Sequence, residues 1–239
     1  MSGASLWIYL SASPLLWLVV TLGAWLLADA VAGMSGRHPL VNPVLLAIAL
    51  VACLLELTRT EYRTYFDGAQ FVHFLLGPAT VALGVPLYRN RRLVRANLVP
   101  MAAALLVGSV VAIVSAVGLA WALGVPAPIL VSLAPKSVTA GVAMAISDGL
   151  GGIPSLTAAL VIASGIVGAV VVTPMMDRLG IVDYAARGFA VGLASHGIGT
   201  ARAFAVSSVA GVFAGIAMGL NALVTPLLLP PLLRLMGLA

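Results

Sequence analysis

The sequence predicts an all-α polytopic membrane protein of about six to eight transmembrane segments, two of them broken or re-entrant, and three observations predict it. Of 239 residues, 62% are apolar and 8% charged, with a mean hydropathy of +1.16, whereas soluble domains carry roughly a quarter charged residues. Side chains so poor in charge cannot clothe a water-soluble globule of this size, so soluble enzymes and DNA-binding domains are excluded. Thirteen of the nineteen charged residues gather in three short windows, Glu56–Asp67, Arg89–Arg95 and Asp177–Arg187, which read as loops. Between the windows run apolar stretches of 18 residues or more, close to the ~20 needed to cross ~30 Å of hydrocarbon. The pI of 10.0 comes from a few arginines set against very few acids and bears on membrane orientation rather than on nucleic acid. Residues 1–239 read as a single integral membrane domain, with four spans in 1–128 and two broken helices plus the remaining spans in 129–239.

The spans follow in order. Leu6–Leu27 has no basic residue before it and is too long for a signal-peptide core, so it reads as a retained helix. Leu40–Leu57 contains the lone Cys53, which excludes an intramolecular disulfide or a cysteine zinc site and faces either lipid or core. Phe71–Tyr88 contains GPATVALGVP, residues 77–86, either a kinked packing helix or a third unwound element. Leu98–Leu123 and Leu156–Met176 are plain spans. Ala203–Leu233 is long enough to tilt or bend, with Asn221, Pro226, Pro230 and Pro231 as expected disruptions. The run RNRRLVR, Arg89–Arg95, places its loop in the cytoplasm by the positive-inside rule. Counting back puts Arg37 inside and the N-terminus outside.

Two stretches are apolar but badly interrupted. Ile129–Ser155 reads ILVSLAPKSVTAGVAMAISDGLGGIPS, and Ala185–Arg202 reads AARGFAVGLASHGIGTAR. Backbone freed by such breaks must be buried in protein or line a watery cavity, because lipid offers it no hydrogen bonds. Broken helices of this kind form substrate sites in transporters, their half-helix N-termini directed at anionic groups. If both stretches are hairpins, Arg178, Arg187 and Arg202 lie inside; if both cross, Arg178 and Arg187 lie outside. The charge rule leans to hairpins and the short arms lean to crossings.

After loop and end charges are assigned, Lys136, Asp148 and Arg202 remain. An ionisable side chain at membrane depth costs at least a few kcal/mol, roughly, and is a functional candidate by default. In APKSVT, residues 134–139, Ser137 and Thr139 can cap a second half-helix whose N–H groups, with Lys136, face a small carboxylate. Equally, the run is a capped bend with a snorkelling lysine. GLGGIPSLT, residues 149–157, reads as a tight connection with Pro154 in the first turn and Ser155 or Thr157 free to cap; Asp148 before it could bind a proton or cation. SHGIGTAR, residues 195–202, concentrates Ser195, His196, Thr200 and Arg202 around two glycines that let the backbone unwind. His196 is thus a second candidate for proton coupling, ahead of His38 and His73. Walker A, HExxH and GxSxG patterns do not occur, so neither an ATP-driven pump nor a membrane protease has visible machinery.

The runs FLLGPATVALGVPLYR (74–89), PKSVT (135–139), GGIPSLTA (151–158) and ASHGIGTARA (194–203), in this order from NPVLL at residue 42 onward, resemble the LrgB/CidB family. That resemblance implies an antiholin-like protein of the bacterial inner (plasma) membrane, tied to murein hydrolase control and cell lysis, with a small LrgA/CidA-type holin-like partner. The family also resembles the membrane half of the plastidal glycolate/glycerate translocator, which implies a carrier of small 2-oxo or 2-hydroxy monocarboxylates. On that reading the substrate-binding set is Lys136, Ser137, Thr139, Ser195, His196, Thr200 and Arg202, with Asp148 or His196 coupling a proton or cation. It needs no cofactor, metal or nucleic acid, and a homodimer would bury the remaining apolar faces. Two positions depart from the family pattern: Ala140-Gly141 stands where Thr-Pro is expected, and Phe204-Ala205 where an acid follows. The first loosens the second half-helix, and the second leaves the basis of coupling open.

Overall fold

The computed structural model describes residues 13–38, 41–75, 78, 81–82 and 84–238, and the regular elements among them are all helices. The chain packs as two compact units, Met1–Gly84 and Val85–Ala239. Among the described residues, four helices are long and apolar enough to cross a membrane.

In the first unit, α1 spans Pro14–Met34, α2 Pro43–Thr58 and α3 Tyr62–Phe74. Helix α1 runs seven residues past the expected end at Leu27. Asp29 is tolerated there because Arg37, just beyond the helix, pairs with it at 2.9 Å; residues 6–12 of the expected span lie outside the described residues. Helix α2 begins where the Asn42 carboxamide accepts from the N–H groups of Val44 and Leu45 and Pro43 takes the first turn, an N-cap with its preferred residue types. Cys53 is exposed on α2. The Glu56–Asp67 window, expected as a loop, instead leads into α3. Its aromatic face packs on α1: Tyr65 meets the fully buried Trp17 edge-on at 6.0 Å. Gly68 closes on the Pro14 carbonyl, where a Cβ would clash. The expected span Phe71–Tyr88 is not one helix over the described residues, since α3 stops at Phe74 with Leu75 in a turn. Within GPATVALGVP, residues 77, 79, 80 and 83 lie outside the described residues.

The end of the expected span Phe71–Tyr88 forms a short helix, α4 (Gly84–Arg89), and the Arg89–Arg95 window forms most of a second, α5 (Arg91–Ala96), rather than a loop. Then follow α6 (Leu98–Ala122), α7 (Ala127–Leu133), α8 (Ala140–Gly149), α9 (Pro154–Arg178), α10 (Tyr184–Val206) and α11 (Ser208–Leu235). Helix α11 continues through Pro226, Pro230 and Pro231, the expected disruptions. Each proline withholds one backbone N–H, but Leu229 and Leu233 are fully buried against Ile113, Val117 and Leu130, and that packing holds the end of the helix.

Contacts fix the directions. Residue numbers rise together along α6 and α11: Leu105 and Phe213 share one apolar cluster, Ser109 bonds Asn221, and Val117 and Leu229 share the next cluster, so these helices are parallel. Helix α7 runs back along α6, its Leu130 and Ala134 sharing a cluster with Ile113 and Val117 and Ala134 lining one pocket with Ile113, Ser109 and Asn221, and α8 returns beside α7 and antiparallel to α9, with Ser147 on Thr157 and Ala143 in one cluster with Val161. Helix α10 contains the sharper reversal. Ser195 (φ −131°, ψ 16°) and His196 (φ 41°, ψ −133°) leave the helical region. A straight helix would hold Val191 and Gly199 ~12 Å apart, yet a Cβ on Gly199 would stand 2.8 Å from the Val191 carbonyl. The chain therefore folds back into two arms, 184–194 and 197–206.

Segments 98–149 and 154–206 are consequently laid out alike and run in opposite directions. Each is a 25-residue helix, α6 or α9, followed by a folded-back hairpin. The hairpins open at opposite ends of the unit. Their tips echo each other in sequence: VSLAPKSVTA, 131–140, matches VGLASHGIGTA, 191–201, with Gly199 inserted, so Lys136 falls on His196 and Thr139 on Thr200.

The first arm of α10 lies so close to α11 that Gly188 meets the Ala210 carbonyl and a Cβ on Gly192 would come within 2.6 Å of Ala214 backbone carbon. Gly192→Val is expected to cost about 1–3 kcal/mol through overpacking and to lower the melting temperature in detergent by roughly 5 °C. Melting within a degree of the parent would show that the contact is not close-packed.

Candidate functional site

The two tips meet halfway along the long helices. Asn221 is the fourteenth of the 28 residues of α11, is 1% exposed, and has every amide group satisfied. Its Nδ2 donates to the Ser137 carbonyl at 3.2 Å and the Leu193 carbonyl at 3.1 Å, one from each tip. Its Oδ1 accepts from Ser109 of α6 and Thr225 of α11, both at 2.9 Å. Since one nitrogen serves both carbonyls, the tip oxygens lie roughly 6 Å apart at most.

Helix α9 makes a second bridge. The Ser164 hydroxyl is 2.8 Å from the Lys136 carbonyl and 2.9 Å from the Val161 carbonyl. His196 Nε2 lies 2.9 Å from that same Val161 oxygen. A carbonyl only accepts, so Nε2 carries the proton and donates, leaving Nδ1 as an acceptor in the neutral ring. Gly165 makes room for the imidazole, since a Cβ there would stand 2.6 Å from the ring. His196 holds a positive φ that glycine normally supplies, a strain of about 1–3 kcal/mol that persists where the surroundings enforce it. Here the ring's anchor on α9 enforces it.

Lys136 Nζ donates to Ser137 Oγ at 3.0 Å, and Lys136 takes part in no ion pair among the described residues. Thr139 occupies the N-cap of α8 but its hydroxyl accepts no capping bond; Ser137, the other expected cap, serves the lysine instead. The first intrahelical bond is from Ala143 N–H to the Thr139 carbonyl, so the N–H groups of Ala140, Gly141 and Val142 remain open to a ligand. Ser195, 1% exposed, has its hydroxyl buried against Gly168 with no hydrogen-bond partner. Such a group costs about 1–3 kcal/mol when left unpaired.

Of the residues expected from the sequence, the structure brings Lys136, Ser137, Ser195 and His196 to the meeting point. Thr139 and Thr200 flank it; the Thr200 hydroxyl donates to the His196 carbonyl at 2.7 Å and secures the second arm. Two are elsewhere. Arg202 lies six residues beyond His196, ~9 Å toward the open end of the hairpin, in a cleft with Arg187. Asp148 is exposed near the far end of α8. GLGGIPSLT is a tight connection as expected, although Ser155 and Thr157 do not cap α9. Thr157 donates to Ser147 at 2.7 Å, and Ser132 accepts from Ile153 N–H at 2.7 Å. Asn221, Ser109, Thr225 and Ser164 were not anticipated as site residues. The tip echo was the available signal, because it marks both breaks as equivalent positions that some third element must join.

A model of the LrgB-like family matches residues 21–235. The chain is 33% identical to an uncharacterized protein, YxaC, of Bacillus subtilis over 86% of this chain and 89% of that protein. It is 30% identical to the holin-like protein CidB of Staphylococcus epidermidis, over 83% of this chain and 87% of CidB. The Staphylococcus aureus CidB is 31% identical over 83% and 86%. No solved structure matches the chain.

Proposed function

Because this chain belongs to the LrgB-like family, we propose that it is a secondary carrier of a small monocarboxylate of the glycolate, glycerate or pyruvate kind, working by alternating access between two re-entrant hairpins. The observation that carries this reading is Lys136 at the meeting point of the tips, bonded to a hydroxyl and forming no ion pair among the described residues. An ammonium at mid-span is costly without a counter-charge, and a carboxylate substrate supplies one. The open first-turn N–H groups of α8 add hydrogen-bond donors with the right polarity, and the unpartnered Ser195 hydroxyl adds another. Inverted repeats with broken helices at their interface are a recurrent carrier layout. Of the two coupling candidates, His196 stands at the tips. Arg89, Arg91, Arg92 and Arg95 precede α6, and Arg178 ends α9 at the same end of the unit; in the inner membrane that end faces the cytoplasm. The α10 hairpin then opens inward and the α7–α8 hairpin outward.

A second reading rests on the holin-like name of the CidB relatives, which favours it over the carrier: an antiholin-like regulator of murein hydrolase activity and lysis, assembled with an LrgA/CidA-type partner. Proteoliposomes containing the purified chain alone separate the two. Saturable uptake of labelled glycolate, glycerate or pyruvate is the expected result. No uptake by the chain alone, with solute leakage appearing on addition of the holin-like partner, would replace the carrier reading with the second.

A further inference from the structure

A groove of about 440 Å³ lies between the first turns of α6 and the first arm of α10. It runs from Asn97 to Gly108, ~16 Å along α6. Its floor is the buried Met101, Phe189, Leu193 and Phe213, and its inner end closes where the Leu193 side chain lies against Gly108. Ala104 and Val107 stand exposed on its rim, so the groove opens sideways, where a spanning helix meets lipid. Asn97 and Asp183, the polar side chains of the lining, are both at the outer end. Each is engaged already: Asn97 donates to the Leu93 carbonyl at 2.8 Å, and Asp183 caps α10 through the N–H groups of Ala185 and Ala186.

That outer end also carries uncommitted positive charge. Helix α5 is held there because its Val94 packs on the cluster that forms the floor. Arg91 lies 4.4 Å from the Tyr88 ring centre. Arg92 and Arg95 are exposed and make no hydrogen bond or ion pair among the described residues.

We propose that this groove holds one acyl chain of an anionic phospholipid whose headgroup phosphate sits at Arg92 and Arg95. A lining that is apolar along its length and polar at one mouth matches a hydrocarbon chain joined to a headgroup. The arginines also place this end at the cytoplasmic leaflet, which is the anionic one, and a guanidinium pairs well with a phosphate. A water-filled entrance would carry polar side chains along its walls, and a second copy of the chain would have to bring an acid to the mouth. A phospholipid supplies both the apolar body and the negative end. Bound there, it braces the first arm of α10 against α6, and with it the Leu193 carbonyl that Asn221 holds.

Delipidated protein in detergent is melted with dioleoyl phosphatidylglycerol, with dioleoyl phosphatidylcholine and with glycerol 3-phosphate, and bound lipid is counted by native mass spectrometry. Saturating phosphatidylglycerol is expected to raise the melting temperature by about 5 °C and to leave one lipid on each chain. Phosphatidylcholine and glycerol 3-phosphate are expected to raise it by less than about 2 °C. Equal stabilisation by phosphatidylcholine overturns the proposal because the arginines then select nothing; equal stabilisation by glycerol 3-phosphate overturns it because the groove is then not needed. Ala104→Trp fills the groove from its exposed rim, and Arg92→Gln combined with Arg95→Gln removes the charge at its mouth. Both variants are expected to melt within about 2 °C of the lipid-free parent and to retain phosphatidylglycerol at least about fivefold less. Parental retention by either one overturns the site. A doubled mass of the delipidated protein that Ala104→Trp abolishes assigns the groove to a second copy instead. None of these readouts depends on uptake, so the lipid site and the carrier reading stand or fall separately.

Discussion

Asn221→Leu is expected to lower the melting temperature of the purified protein in detergent by several degrees and to abolish uptake beyond what the loss of folded protein explains. Leucine preserves the side-chain volume closely and removes four hydrogen bonds at once. The Ser109 and Thr225 hydroxyls can turn to carbonyls in their own helices, so the lasting cost is two buried tip carbonyls, Ser137 and Leu193, without a donor. At roughly 1–3 kcal/mol for each unpaired group, the change costs about 2–4 kcal/mol, with the lower end favoured because interhelical hydrogen bonds are worth less in membranes. The functional effect exceeds the stability effect because the amide is what joins one hairpin tip to the other. Asn221→Asp is the informative companion: it retains the acceptor for Ser109 and Thr225 but loses both donors, and is expected to impair uptake as severely as leucine does. A leucine variant that melts and transports like the parent would falsify the role assigned to this residue.

Lys136→Met is expected to move activity and stability in opposite directions. Removing the ammonium deletes the charge that would hold the substrate carboxylate, and a charge-assisted contact worth about 1.5–3 kcal/mol corresponds to a loss of uptake of roughly 10- to 150-fold. The folded protein should melt at the same temperature or higher. Lys136 is half-buried and is paired with a hydroxyl rather than an acid, so the substitution relieves a desolvation cost with little compensating attraction to lose. This opposition distinguishes a binding residue from a snorkelling one. A snorkelling lysine would give parental uptake on replacement, and that outcome would remove the central support of the carrier site.

Hydropathy located the plain spans well because lipid acts on each side chain independently, so α6 and α9 begin and end within two residues of the runs Leu98–Leu123 and Leu156–Met176. It did less well where charge is compensated locally. Helix α1 passes Asp29 because Arg37 reaches back to it, and α3 begins in, and α5 lies largely in, windows read as loops, since charged residues can occupy the polar face of a short helix. Prolines misled in α11, where packing of Leu229 and Leu233 outweighs the missing hydrogen bonds. At the site, the chemistry of Lys136, Ser195 and His196 was legible from residue type and broken context. Arg202 was grouped with His196 by proximity in sequence and separated from it by ~9 Å along the helical arm.

By itself, then, the sequence determined that the chain is a helical membrane protein, where its plain spans lie, that two stretches are broken, and which family it resembles. These follow from local quantities: transfer of side chains to lipid, charge at membrane depth, and short runs of residues. Only the tertiary structure decided that each broken stretch folds back, that the tips meet halfway along the long helices, and that Asn221 holds them together. The reversal of α10 rests on the dihedral angles of Ser195 and His196, and the joining of the tips on one amide bonded to carbonyls 84 and 28 residues away along the chain. Neither leaves a mark in composition or hydropathy, because both arise from contacts that exist only once distant segments are packed side by side.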